Sequence, residues 1–348
     1  MMLLTVPIFF PLAAQMGFDP IWFGLIMLLG LEISFTTPPF GLLLFVMKGV
    51  APPGTTMHQI YMSALPFIGC SLLLVLILVA LIFVLPLLFM VMSSFKPDLQ
   101  LLRDTSSLRA FLPVGDISLD NYYDAFRRAP IGLFVFNSIL VTGVTVLLSL
   151  FFCSLAAFSF VYLNWKGRDL ALTIIIATLI IPFETIAIPL LLFGSKLPWI
   201  GLEGVEIGWL DSYHVQIIPW IADGLTVFLF VQYFKDLPSE LIEASRVEGA
   251  SWWQIYRKVV MPLAGPVIAT AAILKFLVMY NQYLWPLIVV QQETYRPVMV
   301  GLQYFFQLSI TWGEIMAYLT IITVPVLAFY LVLQRAFIAS IASTGVKG

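Results

Sequence analysis

The chain has 348 residues, 61% of them hydrophobic and 10% charged, with a formal net charge of −2. A soluble globular chain is about half apolar and about a quarter charged, so this composition excludes one. The near-zero charge leaves no electrostatic footprint for a nucleic-acid partner. The two cysteines, Cys70 and Cys153, both lie in apolar runs and lack metal-ligand spacing, which excludes a disulfide scaffold or a zinc module.

In chain order, a first apolar run over about residues 20–50 is interrupted by Thr36-Thr37-Pro38-Pro39. No basic stretch precedes the apolar start and no small-residue cleavage site follows, so a cleaved signal peptide is not expected. The run from Tyr61 to Val91 is too long for one upright span and too short for two with a turn. It reads as a single span, tilted or bent at Pro66 and Pro86. Further runs at 132–163, 170–194, 214–234, 263–290 and 315–338 are each expected to form one helix, since about 20 residues cross a bilayer. The fold class is therefore an all-α polytopic membrane protein.

Orientation follows from Lys and Arg in short connections. The 164–169 connection carries Lys166 and Arg168, 235–260 carries Lys235, Arg246, Arg257 and Lys258, and the tail carries Arg335 and Lys347. An even number of spans separates these segments, so all three can be cytoplasmic. Lys96, Arg103, Arg109, Arg127, Arg128, Lys196 and Arg296 fall on the other side, so the charge count is nearly balanced and the orientation leans on the 237–262 segment. In the long polar connection 97–131, Ser118 is expected to cap a short helix. Trp199, Trp209, Tyr213, Trp220, Tyr283 and Trp285 fall near span ends and read as interfacial anchors.

Residues 237–262, LPSELIEASRVEGASWWQIYRKVVMP, form a charged, helix-forming island between apolar runs. Asp236 or Ser239 is expected to cap a first helix, which Gly249 ends as a left-handed C′ residue. Ser251-Trp252-Trp253-Gln254 reads as the capping box of a second helix. Glu240, Glu243, Arg246 and Glu248 supply a polar side, and Leu241, Ala244, Val247, Trp252, Trp253 and Ile255 an apolar one. Small residues Ala244, Ser245, Ala250 and Ser251 would let a partner approach closely. An amphipathic interfacial helix without a partner is the plainer reading of such a pattern.

Glu184 and Lys275 lie within apolar runs, where an ionised group needs a partner or water. Glu184, Asn281 and Gln282 are candidates for a translocation path, with interhelical hydrogen bonding as the structural alternative. Packing or snorkelling is expected for Lys275.

The spacing Glu243-Ala244-Ser245, three residues, Gly249, nine residues, Val259-Val260-Met261-Pro262 resembles the cytoplasmic loop of ABC importer permeases, E-A-A-x3-G-x9-I-x-L-P. Ser245, Val259 and Met261 are the departures, all conservative in size. Over about 80–348 the chain is similar to the second permease of carbohydrate importers of the maltose and glycerol-phosphate class. Ser118-Leu119-Asp120-Asn121-Tyr122, Asn137-Ser138, Ile181-Pro182-x-Glu184, Asn281-Gln282-Tyr283-Leu284-Trp285-Pro286 and Gly345-Val346-Lys347-Gly348 carry that likeness. The family's Trp-Asn-Asp is Tyr280-Asn281-Gln282 here, which removes a charge. The resemblance implies a six-helix permease core preceded by one or two extra, partly broken helices. It also implies a loop (Glu243, Ala244, Ser245, Arg246, Gly249, Pro262) that docks an ABC ATP-binding subunit pair and transmits its closure. A second homologous permease and a periplasmic solute-binding protein would complete the system in a bacterial inner membrane. No cofactor is expected on the chain itself; it has no G-x-x-x-x-G-K-[ST] phosphate loop, so ATP would be hydrolysed by the partner subunits. No constellation for catalysis is visible, so no enzyme activity is expected.

The opening differs. Gly17-Phe18-Asp19-Pro20-x-Trp22-Phe23-Gly24, Leu31-Glu32-Ile33, Thr37-Pro38-Pro39-x-Gly41 and Leu44-Phe45-Val46 resemble the C-terminal end of the large membrane subunit of TRAP transporters. That likeness implies a discontinuous helix in which Glu32, Thr36 and Thr37 would be remnants of an ion or substrate site. The expectation is a chimera, residues 1–75 from such a fragment and 76–348 a permease domain, with a seam near 75–85. The alternatives are an ion-coupled carrier of organic acids, and a chimeric product or membrane-bound regulator that transports nothing.

Overall fold

The computed structural model describes residues 23–30, 44, 47–48, 50–52, 54–201, 204–307 and 310–345. Glu32, Thr36, Thr37 and the terminal Val346-Lys347-Gly348 lie outside these residues. The chain divides into two compact units, Met1–Phe89 and Met90–Gly348. In the first, the apolar run expected as a single span belongs to one helix, α1 (Met57–Ser93), with Pro66 and Pro86 inside it. Its 37 residues extend for about 55 Å, well beyond the ~30 Å hydrocarbon core.

The second unit is helical apart from one two-stranded hairpin. After a short helix Asp98–Asp104 come α2 (Asp120–Arg128), α3 (Ile131–Tyr162), α4 (Arg168–Ala177) and α5 (Phe183–Gly194). The antiparallel hairpin β1 (Pro198–Gly201) and β2 (Gly204–Ile207) pairs Trp199 with Glu206 and Ile200 with Val205. Then follow α6 (Gly224–Lys235), α7 (Ser239–Val247), α8 (Trp252–Ile255), α9 (Gly265–Tyr280) and α10 (Trp312–Gly345). Among the described residues four helices are long and apolar enough to span a membrane, and two bent pairs raise the number to six.

The bent pairs correct the expectation of one helix per run. The 170–194 run breaks by 106° between α4 and α5. Pro182 has no N–H to continue the ladder, and Ile181 before it takes an extended conformation (ψ 115°), as a residue preceding proline must. The second bent pair joins Trp252–Leu263 to Gly265–Tyr280 at 77°. The 263–290 run then ends as a long helix at Tyr280, and a separate short helix covers Leu284–Val289. Pro286 has no N–H to offer the Gln282 carbonyl, which favours the break there. Ser118 is not the cap of α2 either. Leu119 occupies that position, while the Ser118 hydroxyl accepts the Asp120 N–H at 3.3 Å.

Two cores hold the unit together. One gathers Phe158, Phe160, Val227, Phe230, Phe234, Ile242, Ile255 and Tyr256, and the other Phe134, Phe276, Tyr280, Phe305 and Tyr318. Gly224 sits where α6 meets α4; a Cβ there would lie 2.7 Å from the Ile175 carbonyl oxygen. At the opposite end, polar side chains tie the connections to the spans. Asn137 donates to the Thr294 and Arg296 carbonyls at 2.8 and 3.0 Å and accepts from the Tyr213 hydroxyl at 2.8 Å, and Ser138 accepts the Val298 N–H at 2.9 Å. Arg128 pairs with Glu314 at 2.9 Å, and Asp211, in a left-handed conformation (φ 53°), accepts from Gln291 and Gln292. Trp285, expected as an interfacial anchor, is instead buried and donates to the Val215 carbonyl at 2.7 Å. Both cysteines are free, Cys153 buried and Cys70 exposed.

In the 97–117 lobe Lys96 and Asp104 form a buried ion pair at 3.1 Å. Burial pushes the Asp104 carboxyl up, but hydrogen bonds from Lys96 and Gln100 and the charges of Lys96 and Arg109 outweigh it and hold the group below its ordinary range. The stability this supplies is complete above the ordinary carboxylate pKa of ~3.9 and is lost as pH falls through the lowered value. Limited proteolysis should therefore show cleavage within 97–117 rising as the pH drops below about 4. Asp104→Asn should be cleaved more readily at neutral pH and lack the acid step.

Candidate functional site: a rigid docking loop

The 237–262 island folds as a helix, a glycine turn and a second helix, as its sequence suggests. Its first cap differs. Pro238, not Asp236 or Ser239, precedes α7, and no side chain caps the helix; Asp236 instead closes α6. Ser239 is already helical because Pro238, with φ fixed at −58°, presets the entry.

The turn is a Schellman motif. The Ala250 N–H bonds the Ser245 carbonyl and the Gly249 N–H bonds the Arg246 carbonyl, both at 3.0 Å, with Gly249 left-handed at φ 81°. Ser251 then accepts the Gln254 N–H at 3.3 Å while Gln254 accepts the Ser251 N–H at 2.8 Å, a complete capping box. Arg246 fastens the two halves. Its guanidinium donates to the Ala250 carbonyl at 3.0 Å and lies 4.5 Å above the Trp252 ring. After α8 the chain continues through a π-helical turn, Tyr256–Val260, into Met261-Pro262-Leu263.

Of the apolar side read from the sequence, Ile255 faces the spans, and Ile242, which that reading left out, joins it. Ile242 and Ile255 are buried in the core with Phe158 and Phe234, whereas Leu241 is 43% and Val247 89% exposed. The Tyr256 hydroxyl meets the Ser154 hydroxyl at 2.8 Å, and Phe158 makes edge contacts with both Trp252 and Tyr256. Tyr162 donates to the Phe234 carbonyl and Tyr233 to the Leu263 carbonyl. The outer surface carries Glu243, Ala244, Arg246, Val247, Trp253 and Pro262, all exposed, with Ser245 half-buried. Beside it a groove of about 360 Å³ is lined by Ser245, Glu248, Gly249, Ala250, Gln254, Ile255, Lys258 and Val259.

The proposed path residues are not gathered. Glu184 is exposed in the first turn of α5, with no partner among the described residues. Asn281 closes α9 and returns its amide to the Leu277 carbonyl at 2.9 Å, and Gln282 is half-buried beside it. Lys275 is 5% exposed and paired with Asp223 at 2.6 Å. Asp223, which sequence reading missed, also caps α6 by accepting from the Thr226 N–H at 2.9 Å and hydroxyl at 2.8 Å. Its position before Gly224 and Thr226 at the start of an apolar run carried that signal. Among the described residues no group of His, Cys, Asp and Glu could hold a metal ion.

The spans and the loop packed on them make this a polytopic helical membrane protein. The family described as the binding-protein-dependent transport system inner membrane component matches residues 149–343, and the chain belongs to that family. Residues 1–85 match the DctM component of tripartite ATP-independent periplasmic transporters. The arabinooligosaccharides transport system permease protein AraQ of Halalkalibacterium halodurans is 33% identical over 78% of this chain and 93% of its own length. The lactose transport system permease protein LacG of Rhizobium radiobacter is 29% identical over 76% and 91%. The sn-glycerol-3-phosphate transport system permease protein UgpE of Yersinia enterocolitica is 28% identical over 63% and 75%. The crystal structure of a bacterial ABC transporter involved in alginate import shares the fold, with a TM-score of 0.64 at 22% identity over 79% of this chain and 98% of that one.

A Cβ at residue 249 would meet nothing within 4 Å, so Gly249→Val carries only a backbone cost, about 1–2 kcal/mol for a left-handed β-branched residue. Hydrogen exchange should quicken at Ala250 and Gly249 and stay unchanged in α3. Lys275→Met leaves the Asp223 charge unpaired and should cost up to about 3 kcal/mol of stability, whereas the double change Asp223→Asn with Lys275→Met should unfold close to wild type. Thermal unfolding in one detergent compares the two.

Proposed function

We propose that the chain is the permease subunit of an ABC importer, embedded in a bacterial inner membrane. In this reading it moves a solute of the sugar class by alternating access, driven by a separate pair of ATP-binding subunits that dock on residues 237–262. Closure of that pair on ATP would press on the outer face around Glu243, Ala244 and Gly249. The buried Ile242, Ile255 and Tyr256 contacts would carry the displacement into the spans, swinging the cavity from inward-open to outward-open. The observation that carries this reading is the split loop, whose underside is locked to the spans while its outer face holds exposed Val247 and Leu241, apolar side chains suited to a protein partner. A solute-binding protein would deliver cargo at the end formed by residues 97–131, 195–213 and 291–314, and a second, homologous permease would complete the pore. The solutes for which the relatives are named, arabinooligosaccharides, lactose and glycerol 3-phosphate, favour a small polyhydroxylated molecule as cargo.

On the same reading residues 76–348 are the permease domain and residues 1–75 an appended fragment of a TRAP-type subunit. The match of residues 1–85 to the DctM component supports a separate origin for the opening.

Native purification of the tagged chain in mild detergent tests the proposal. Recovery of an ATP-binding subunit and a second permease is expected. Gly249→Val should keep the chain in the membrane while uptake and partner-stimulated ATP hydrolysis fall at least tenfold. Recovery of a small TRAP-type membrane subunit without an ATPase would overturn the importer reading and move function to the N-terminal segment.

A further inference from the structure

The connection between Lys96 and Leu119 holds large apolar side chains outward. Leu99 is 85% and Leu108 80% exposed, and Leu102, Leu112, Ile117 and Leu119 are exposed as well. Exposed apolar side chains gathered in one segment mark an interaction surface. The lobe is braced from inside. Lys96 pairs with Asp104 at 3.1 Å and donates to the Arg109 carbonyl at 2.5 Å, while Gln100 donates to the Val114 carbonyl at 2.6 Å and accepts the Asp116 N–H at 2.9 Å. The same bonds leave two cations over. A cavity of about 500 Å³ is lined by Gln100, Arg103, Asp104, Arg109 and Asp116, with Leu99 at its edge. The Asp104 charge is taken by Lys96, and Asp98 accepts the Trp312 and Gly313 N–H groups at 3.0 and 2.7 Å. Neither the Arg103 nor the Arg109 guanidinium makes an ion pair or hydrogen bond among the described residues. The level of the lobe follows from its fastenings. Asn121 donates to the Ser94 and Lys96 carbonyls at 2.9 and 2.8 Å, just past the end of α1, and the Asp98 bonds reach the first residues of α10. Both are candidate spans, so the lobe sits where spans end.

We propose that residues 98–119 are an interfacial anchor, whose leucines enter the acyl boundary of the bilayer while Arg103 and Arg109 hold the phosphate of an anionic phospholipid. The anchor goes beyond the importer reading and does not need it. Apolar burial combined with attraction to anionic headgroups is what keeps an amphipathic element in the plane of the interface. A guanidinium offers phosphate oxygens a planar fork of N–H donors, and it keeps its charge at any working pH. Leu99 lines the same cavity as both arginines, so the headgroup and the upper acyl chain of one lipid can be met together. A soluble protein is the other occupant such leucines could serve. At the level of the span ends, however, lipid phosphates are the nearer counter-charge for the two free cations, and they favour the bilayer.

Two measurements on the full chain in lipid nanodiscs test the anchor. A nitroxide is placed at Leu108→Cys, with Cys70→Ala and Cys153→Ala so that no other thiol reacts. It should collide more with oxygen, which concentrates in lipid, than with a water-soluble nickel chelate. Native mass spectrometry after exchange into mixed phosphatidylglycerol and phosphatidylcholine should show preferential retention of phosphatidylglycerol. Arg103→Gln with Arg109→Gln should lower that preference about tenfold, whereas Arg103→Lys with Arg109→Lys should keep most of it. Both double variants retain the Lys96–Asp104 pair and should elute like wild type. A label that collides mainly with nickel, or an unchanged preference in the double Gln variant, would overturn the anchor. A label shielded from nickel only after a solute-binding protein is added would overturn it too, and assign the lobe to that protein. Neither measurement reads ATPase recovery, so the anchor and the importer reading can fail separately.

Discussion

The structure depends on one packing arrangement, the aromatic underside of the docking loop seated on the C-terminal half of α3. Phe158 touches both Trp252 and Tyr256, Ser154 meets the Tyr256 hydroxyl, and Ile242 and Ile255 close the space between. Individually these contacts are ordinary core burial. Together they turn a short surface element into an extension of the spans. A nine-residue and a four-residue helix would not persist alone in water, since helices under about 12 residues are marginal. Their order comes from the Schellman turn, the capping box and this buried floor acting at once.

Much of the loop was legible because its determinants are local. A left-handed glycine and a Ser-x-x-Gln box are read within six residues, and both appear at the expected positions. The count of spans was legible for a similar reason, since hydropathy needs no partner. What the sequence hid is relational. The apolar side read from the sequence held Leu241, Ala244, Val247, Trp252, Trp253 and Ile255 but not Ile242, and only the position of Phe158 and Phe234 decides that Ile242 goes inward. The Asp223–Lys275 pair spans 52 positions, a distance at which no periodicity connects two charges. The breaks at Pro182 and before Pro286 follow from missing N–H groups, yet hydropathy alone runs straight through them.

The polar groups divide by location. At the end opposite the loop, Asn137, Ser138, Arg128 and Asp211 spend their hydrogen bonds on backbone and carboxylate partners in neighbouring connections. That end is braced by polar clamps, while the docking end is braced by apolar and aromatic contacts.

The close approach at Gly224 limits what that residue can be. A Cβ there would lie 2.7 Å from the Ile175 carbonyl oxygen of α4 and 3.1 Å from the Leu179 side chain, and a backbone oxygen cannot swing aside as the end of a side chain can. Any larger residue would have to push α6 and α4 apart, so residue 224 sets how near the two helices lie.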